Sequence, residues 1–442
     1  MVSGIPLLFV ILAAILLVVF LTARLKFHPF LALVIACFFL GIATRMPLSK
    51  IVVAMGEGFG GLMQSIGMIV IFGSVIGVFL ERSGGALQIA RTIIKLSSEK
   101  RTLSAISLIG AVVSVPVFCD SGFILLSGLS DTLSKLSKQN KAGLSLALAT
   151  GLYTTHTLIP PTPGPIAAAG NIGASEYLGT IILLGIGISV PILLLSQFFS
   201  KRLGKNIIAE AVVVKEETLE NLPGIFNALL PLLLPIVLIA MGTILKFVGV
   251  EIPWVAFISN PLVSIFIGAI MAMFLLKPKE NEKYQDWFVE AIKVAGPILI
   301  ITAAGGAFGS VLKATSLSGF VGQWIGNGSA SSFTVLLIIF AIAAVLKTAQ
   351  GSSTGAMVIT SSLLAPLIPT LGWTTPLQFA LAVMAIGGGA MMVSHYNDSY
   401  FWVVSQFSGM TAKDTNKSFS LLTIIQGVSV LFLVLLIWSI AI

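Results

Sequence analysis

Four groups of polar residues interrupt apolar stretches of the chain, and their chemistry suits a small charged substrate. In the first group, Lys347 ends an uninterrupted apolar run that includes residues 340–346, and hydroxyl and amide side chains follow it: Gln350, Ser352, Ser353 and Thr354. A cation beside such donors, near the start of a following helix, is suited to binding a carboxylate. A lysine that extends its ammonium group to the membrane surface is the alternative interpretation.

The second group is Asp120-Ser121-Gly122, which also lies within an apolar stretch. An ionisable residue inside a membrane segment is costly and is by default a functional hypothesis. We therefore predict that Asp120 is a candidate to carry a coupling proton and that Ser121 contacts the substrate. The alternative interpretation is that Asp120 caps a helix that starts at Gly122-Phe123.

The third group lies beside a run of prolines, PPTPGP at 160–165, which cannot form a continuous helix. We predict that His156, which precedes the run, and Thr162, which lies inside it, contact the substrate. His156 is also a candidate proton carrier, because imidazole titrates near neutral pH. A purely structural hydrogen bond of His156 is an equally good interpretation.

The fourth group follows the glycine run 387–389 and contains His395, Asn397 and Asp398. We predict that Asn397 contacts the substrate and that Asp398 is a third candidate for proton coupling. His395 and Asp398 are three residues apart, so they would share a face if the segment were helical. A structural pair between them is the alternative to a functional one.

Several motifs that would indicate an enzyme or a pump are missing or lack their context. The G-x-G-x-x-G pattern at 56–61 follows no strand, so it does not indicate a dinucleotide site. The sequence contains no Walker A motif, no H-E-x-x-H motif, and no cluster of Cys and His with metal-binding spacing. It also lacks a recognisable pairing of nucleophile and base. We therefore predict a protein that is not an enzyme and that needs no cofactor and no metal.

The composition identifies the setting of these polar groups. Hydrophobic residues make up 57% of the 442 residues and charged residues only 10%, and the mean hydropathy is +1.05. Soluble proteins contain roughly 25% charged residues, so the chain has too few charges to cover a water-exposed surface. The net charge of +8 is explained by basic cytoplasmic loops rather than by nucleic acid binding. The sequence predicts a protein that crosses the bilayer many times.

Membrane spans need about 20 apolar residues, and eight stretches qualify: 5–23, 29–44, 62–80, 178–199, 225–247, 254–276, 292–312 and 420–441. We predict that 103–134 and 332–369 are re-entrant hairpins, because two helices of about 13 residues reach only about 20 Å each. We predict that 146–172 and 378–407 are spans with broken centres. Unwound backbone at membrane depth is tolerated only where protein or a water-filled cavity satisfies it.

This topology of ten spans and two hairpins also predicts an orientation. With both termini outside the cytoplasm, the inner loops hold 20 of the 25 Lys and Arg residues, and the outer loops hold four. Such an asymmetry is the usual mark of cytoplasmic loops. We therefore predict an inner-membrane protein with periplasmic termini.

Weak internal similarity divides the chain into two halves. FGSV occurs at 72–75 and again at 308–311, and ALA occurs at 147–149 and again at 380–382, at offsets of 236 and 233 residues. We predict an all-α polytopic membrane protein with two repeats, 1–200 and 224–442, joined by a cytoplasmic linker at 201–223. Five spans in each half would place the repeats in opposite orientations, an arrangement typical of secondary transporters with a substrate site near the bilayer midplane.

At the hairpin tips and the proline run, the chain resembles the gluconate permease family. The resemblance is carried by FHPFLAL at 27–33, VFCDSGF at 117–123, HTLIPPTPGP at 156–165, GGAF at 305–308 and AQGSST at 349–354, and it extends over essentially the whole chain. It implies proton symport of gluconate or a related sugar acid, and a homodimer with scaffold and moving transport domains. The family pattern has His where Thr162 stands and Glu-Val where Asp120-Ser121 stands, so a smaller hydroxy acid such as glycerate and a changed coupling site are both open alternatives.

From the residues and the resemblance together, we expect alternating-access import of a small hydroxylated carboxylate with protons. Two alternatives remain open. The small polar loops could bind Na⁺ in place of a proton, which would make the protein a sodium-coupled symporter of organic anions. An anion channel is the other alternative, although it would need a continuous polar pore rather than polar groups concentrated at two tips.

Overall fold

The computed structural model describes residues 2–96, 101–137, 139–209, 222–247, 250, 252–278, 283–316, 332–396 and 398–442. These residues contain helices and no strand, and eight of their helices are long and apolar enough to cross a membrane. Large apolar side chains on the outer surface, such as Phe9, Phe274 and Phe432, are 67%, 73% and 64% exposed. An outer surface of this kind is stable only in lipid. The predicted class, an all-α polytopic membrane protein, is confirmed.

The first half contains, among its described residues, helices of very different lengths. In chain order they are α1 (Ile5–Val19), α2 (Pro29–Ala43), α3 (Leu48–Arg82), α4 (Gly85–Leu96), α5 (Thr102–Val113), α6 (Cys119–Ser137), α7 (Lys141–Leu158), α8 (Pro163–Asn171) and α9 (Leu178–Gly204). A π-helical turn, Phe20–Arg24, follows α1, and a 3₁₀ turn, Ser175–Tyr177, precedes α9.

The described residues of the second half also form helices of very different lengths. In chain order they are α10 (Ile225–Phe247), α11 (Pro253–Ile258), α12 (Pro261–Leu275), α13 (Tyr284–Lys313), α14 (Ser332–Gln350), α15 (Ser353–Leu364), α16 (Ile368–Leu371), α17 (Pro376–Met391), α18 (Ser399–Ser408) and α19 (Ala412–Ala441). Most of the predicted linker lies outside the described residues. The opposite orientation of the two halves stays a prediction.

Two helices are much longer than the spans predicted at 62–80 and 292–312. Helix α3 has 35 residues and includes the glycine-rich stretch 56–61, and α13 has 30 residues. Tertiary packing explains why the glycines do not break α3: a Cβ on Gly58 would lie 2.6 Å from Cβ of Ser310, on α13. The glycines allow these two long helices to approach closely, so their cost in helix propensity is offset by packing.

The stretch predicted as one span at 254–276 is instead two helices. The Asn260 side chain caps α12 by accepting a hydrogen bond from Leu262 N at 3.0 Å, and Pro261 occupies the first position of the helix. His28 and Pro29 begin α2 in the same way, since His28 Nδ1 accepts from Phe30 N at 3.3 Å. A side-chain cap followed by proline is a strong helix start, so both helices begin at equivalent places in the two halves.

Helices α5 and α6 form the first predicted hairpin, and their connection is residues 114–118. Helix α5 packs against α7, with a Cβ on Gly110 only 2.6 Å from the carbonyl oxygen of Leu148. In the second half, α14 packs against α17 in the same relation. Helix α14 has 19 residues, longer than expected for a hairpin arm and about 28 Å at 1.5 Å per residue. Re-entry at membrane depth therefore stays a prediction.

The broken helices also cross between the halves. Helix α8, which follows the proline run, packs against α15, the second arm of the second hairpin. Asn171 at the end of α8 donates to the carbonyl oxygen of Val358 at 3.1 Å and to Ser361 Oγ at 2.8 Å. This crossing brings polar groups from the two halves to one place in the core.

Candidate functional site

The tip of the second hairpin is a tight turn between α14 and α15. Gly351 adopts a φ of 77°, which is a left-handed conformation that glycine adopts without strain. Ser352 is the N-cap of α15, and its Oγ accepts a hydrogen bond from Gly355 N at 3.1 Å. The partial positive charge of the α15 N-terminus therefore faces the end of α14.

Lys347 lies in the last turn of α14 and is only 1% exposed. Its Nζ donates to the carbonyl oxygen of Gly351 at 2.9 Å and to Oδ2 of Asp398 at 2.6 Å. The ammonium group also lies 5.8 Å from the centre of the Tyr153 ring. The alternative of a lysine that reaches the membrane surface is therefore wrong, because this side chain is directed into the core.

Asp398 links the hairpin tip to the second broken span. It is the N-cap of α18, with Oδ1 accepting from Tyr400 N at 3.1 Å, while Oδ2 also accepts a hydrogen bond from the Ser394 hydroxyl. A carboxylate with this many charge-assisted hydrogen bonds is held in one position. The side chain is buried, and its ion pair with Lys347 joins residues 51 positions apart.

The alternative of a structural pair between the side chains of His395 and Asp398 is not seen, and neither residue lies in a helix. His395 Nε2 is instead 3.0 Å from the carbonyl oxygen of Thr348, near the end of α14. His395 thus holds the broken span against the hairpin by a contact of its own. Asn397, predicted to contact the substrate, lies outside the described residues.

The first hairpin tip brings Asp120 toward the same cluster. Helix α6 begins at Cys119, so Asp120 lies within the first turn and does not cap a helix at Gly122. Its Oδ2 accepts a hydrogen bond from the Cys119 thiol, and its carboxylate interacts electrostatically with Asp398 and Lys347. Oδ1 of Asp120 is buried and has no hydrogen-bond partner among the described residues. Ser121, beside it, is half-buried.

His156 reaches this region from the last turn of α7. It interacts electrostatically with Lys347 and Asp398, and its ring centre is 5.9 Å from that of Phe118 at the first hairpin tip. His156 and Thr162 line a narrow pocket together with Ser74 on α3. The Thr162 hydroxyl donates to the carbonyl oxygen of Ile159, so its hydrogen is already used within the proline break.

Some of the buried polar atoms without a hydrogen-bond partner belong to residues of this region. Within the described part of the chain, they include both amide atoms of Gln350, Oδ1 of Asp120 and Nδ1 of His156. Buried polar atoms are nearly always hydrogen-bonded, so each exception calls for an explanation. Asp120 and His156 interact electrostatically with the Lys347–Asp398 pair, and Gln350 follows Lys347 by three residues. A polar ligand or ordered water would satisfy their unpaired atoms. The described residues contain no group of three or more His, Cys, Asp or Glu side chains able to hold a metal.

Sequence reasoning missed two residues that connect α7 with the second half. The Tyr153 hydroxyl is 2.7 Å from Ser353 Oγ at the hairpin tip. Gln426 on α19 donates to Thr154 Oγ1 at 2.7 Å and to the carbonyl oxygen of Thr150 at 3.0 Å. Tyr153 lies one helical turn before His156, and this spacing was the sequence feature that could have identified it. Nothing in the sequence near Gln426 indicates its partner, because the two are 272 residues apart.

The arrangement matches a known class of membrane protein. A family model for GntP family permeases matches residues 5–441. The chain belongs to the GntP permease family. Permeases are transporters, so the protein is a membrane transporter and not an enzyme, as predicted. The resemblance noted from the tips and the proline run is thereby confirmed.

Curated relatives and a solved structure agree with this assignment. The gluconate permease of Pseudomonas aeruginosa is 31% identical, with 94% of this chain and 94% of that protein covered. The high-affinity gluconate transporter of Escherichia coli is also 31% identical, with 96% and 97% covered. The D-serine transporter DsdX of Escherichia coli is 30% identical, with 95% of each chain covered. The YdaH transporter of Alcanivorax borkumensis has a similar fold, with a TM-score of 0.67 and 15% identity over 93% of this chain and 98% of YdaH.

Proposed function

We propose that the protein imports a small hydroxylated carboxylate, such as gluconate, glycerate or a related sugar acid, by proton symport across the bacterial inner membrane. The observation that carries the proposal is the buried ammonium group of Lys347 at the second hairpin tip, together with the unpaired polar atoms of Gln350, Asp120 and His156. A lysine inside the membrane is costly and rare, and such residues commonly mark substrate pathways. The gluconate permeases among the relatives support a sugar acid as the substrate.

The substrate carboxylate would bind at the second hairpin tip. Lys347 supplies the positive charge, and the hydroxyl and backbone N–H groups of Ser352, Ser353 and Thr354 supply donors at the start of α15. A cation together with a helix N-terminus favours an anion more than either does alone. Gln350, whose amide is unpaired, would take the first substrate hydroxyl.

The remaining hydroxyls would lie toward the first half of the chain. His156 offers an unpaired ring nitrogen, and Thr162 shares its pocket. Ser121 at the first hairpin tip and Asn397 complete the proposed contacts. A substrate held between both tips would bridge the two halves, as expected for a transporter built from paired broken helices.

The coupling proton would be carried within the same cluster, by Asp120, His156 or Asp398. These groups interact electrostatically with one another or with Lys347. An anionic substrate adds negative charge to a dry site that already contains carboxylates, and unpaired charge is costly there. Protonation of one of these groups lowers that cost, so substrate binding and proton binding favour each other. This mutual dependence is the thermodynamic requirement for symport.

We propose alternating access in which the two hairpins and broken spans move against α1, α2, α10 and α12. An apolar pocket lies along this boundary, between Pro116 and Pro161 on one side and Pro231, Pro235 and Ile265 on the other. Apolar contacts are non-directional, so this seam can slide without breaking hydrogen bonds. A homodimer and periplasmic termini are further parts of the proposal, by analogy with the family and from the distribution of basic loops.

A small amino acid with a hydroxyl group is a second candidate substrate. The unpaired Oδ1 of Asp120 is suited to accept hydrogen bonds from an ammonium group, and one relative is a D-serine transporter. Competition between labelled gluconate and unlabelled D-serine separates the two candidates. If the protein also transports an amino acid, unlabelled D-serine should inhibit uptake of labelled gluconate by the wild type but not by Asp120→Asn.

The experiment that tests the proposal is uptake of labelled gluconate and glycerate into proteoliposomes under an imposed inward proton gradient. Wild type, Lys347→Ala and Lys413→Ala should be compared, because Lys413 is an exposed lysine remote from the tip. Saturable uphill accumulation in the wild type and Lys413→Ala, lost in Lys347→Ala, is the expected result.

The same vesicles separate the alternatives. Uptake driven by a sodium gradient at fixed pH would show that Na⁺, and not a proton, is the coupling ion. Uptake that never exceeds equilibrium would indicate a channel, and transport that survives Lys347→Ala would remove the anion-binding role of that residue. Absence of uptake of both acids under either gradient would contradict the proposed substrate class.

A further inference from the structure

The ion pair between Lys347 and Asp398 occupies the cation that the substrate carboxylate needs. Both side chains are less than 5% exposed, whereas the Arg82–Glu290 pair at the ends of α3 and α13 is 48% and 36% exposed. The Lys347 ammonium has three N–H donors, and Asp398 and the Gly351 carbonyl already accept two of them. One N–H donor is left, so a substrate carboxylate that binds Lys347 would share the ammonium group with the Asp398 carboxylate.

Charge balance makes simultaneous binding of both carboxylates unfavourable. Asp120 is a second carboxylate of the cluster, and the other titratable groups that interact with Asp398 are His156, Cys119 and the hydroxyls of Tyr153 and Tyr400. With both aspartates ionised and Lys347 charged, the empty site carries one net negative charge. A monoanionic substrate would raise this to two in a desolvated place, which is strongly disfavoured.

A proton on Asp398 resolves both difficulties in a single step. It removes one negative charge and cancels the attraction between Asp398 and Lys347, which frees the ammonium group for the substrate. The protonated carboxyl group can stay in place, because Oδ1 keeps the capping hydrogen bond from Tyr400 N at the start of α18 and the Ser394 hydroxyl lies beside Oδ2. Asp120 cannot serve in the same way, since the described residues show no direct contact between it and Lys347.

We infer that Asp398 is an internal competitor of the substrate, and that the two carboxylates occupy Lys347 in turn. The inference rests on the proposed function. A proton from the entry side binds Asp398 as the substrate carboxylate takes its place at Lys347. On the opposite side, substrate release lets Asp398 lose that proton and re-form the ion pair. The exchange couples one proton to each carboxylate that binds.

Asp398→Asn is the decisive variant, because its amide carries no charge and takes up no proton, while the side chain keeps nearly the same shape. Asparagine caps helices about as well as aspartate, and its side-chain oxygen can still accept a hydrogen bond. We expect Asp398→Asn to bind gluconate at least tenfold more tightly at pH 8 than the wild type does, with an affinity independent of pH between 5.5 and 8. It should exchange labelled for unlabelled gluconate across vesicles but fail to accumulate gluconate on a proton gradient.

Asp414→Asn is the matched control, because Asp414 lies at the exposed start of α19, where it bonds Thr411. It should accumulate gluconate as the wild type does. A second measurement on the wild type covers the case in which Asp398→Asn fails to fold: gluconate binding in weakly buffered detergent solution should take up about one proton per substrate, detected with a pH indicator.

The outcomes separate this inference from the proposed function. Failure of the wild type to transport or bind gluconate and glycerate contradicts the proposed function. Proton-driven accumulation by a folded Asp398→Asn, or gluconate binding by the wild type without proton uptake, overturns the inference and leaves the transporter intact. Loss of both exchange and binding in a folded Asp398→Asn also overturns it, because the aspartate would then be needed to hold the substrate.

Discussion

Tyr153 offers a sharp test of how the first half of the chain positions the second hairpin tip. Its hydroxyl is 2.7 Å from Ser353 Oγ, at the first residue of α15, and its ring lies under the Lys347 ammonium. Tyr153→Phe keeps the ring, and therefore the cation–π contact, and removes only the hydroxyl. The Ser353 hydroxyl then loses its partner and is free to rotate away from the substrate carboxylate.

The expected magnitude follows from the value of one buried hydrogen bond between helices. Such bonds contribute about 0.6 kcal/mol on average in membranes and up to about 1.5 kcal/mol elsewhere. Since about 1.4 kcal/mol corresponds to a factor of ten, we expect Tyr153→Phe to raise the apparent KM for gluconate about 3- to 12-fold. The maximal rate should change much less, because the charge of Lys347 is untouched.

Tyr400→Phe is the matched control for this prediction. Tyr400 is also buried and stacks near Tyr153, with ring centres 5.4 Å apart, but its hydroxyl donates to the carbonyl oxygen of Ala149 within the helical core. Tyr400→Phe should lower thermal stability about as much as Tyr153→Phe does, because each removes one buried hydrogen bond, and it should leave the KM for gluconate unchanged. Measured uptake kinetics and melting temperatures decide the matter. Equal KM values for both variants and the wild type would refute the role assigned to the Tyr153 hydroxyl.

Three further predictions follow from the same contacts. Lys347→Ala alone should destabilise the protein by about 3–5 kcal/mol, because it leaves Asp398 charged and unpaired. In thermal unfolding, the double variant Lys347→Ala/Asp398→Ala should regain most of this stability without regaining transport. Equal stability of the two variants would contradict a buried ion pair. Arg82→Ala removes an exposed ion pair between α3 and α13, 48% and 36% exposed, and should cost at most about 1 kcal/mol and leave uptake unchanged. Gly351 has a left-handed φ of 77°, so Gly351→Ala should lower stability by about 1 kcal/mol and also lower uptake. Gly372 has a φ of 63° and lies away from the tip, so Gly372→Ala should lower stability alone. Equal uptake by the two glycine variants would exclude a role for the turn geometry.

The class of protein and the position of its breaks were readable from the sequence. Apolar runs predicted the helices, and the proline run at 160–165 and the turn at 351–352 lie where the structure ends one helix and begins another. Lys347 and Asp120 were identified because a charge in an apolar run is conspicuous by itself. These features depend on one residue and its near neighbours, so no tertiary information was needed.

Element boundaries were less predictable where packing overrides propensity. The predicted span began only at residue 62, yet α3 begins at Leu48 and runs through the glycines at 56–61, where α13 packs closely against Gly58. The sequence offered a structural pair between His395 and Asp398 as one interpretation, yet each side chain instead contacts α14: His395 the carbonyl oxygen of Thr348, and Asp398 the ammonium group of Lys347.

The sequence by itself determined that the chain is a helical membrane protein with polar interruptions, since the transfer of each segment into lipid depends on its own composition. Only the tertiary structure decided which polar groups meet. Lys347 finds Asp398 51 residues away, Ser353 finds Tyr153 200 residues away, and Gln426 finds Thr154 272 residues away. The physical reason is that a buried polar group must be satisfied by whatever the folded helices bring beside it, and that neighbour is set by packing across the two halves.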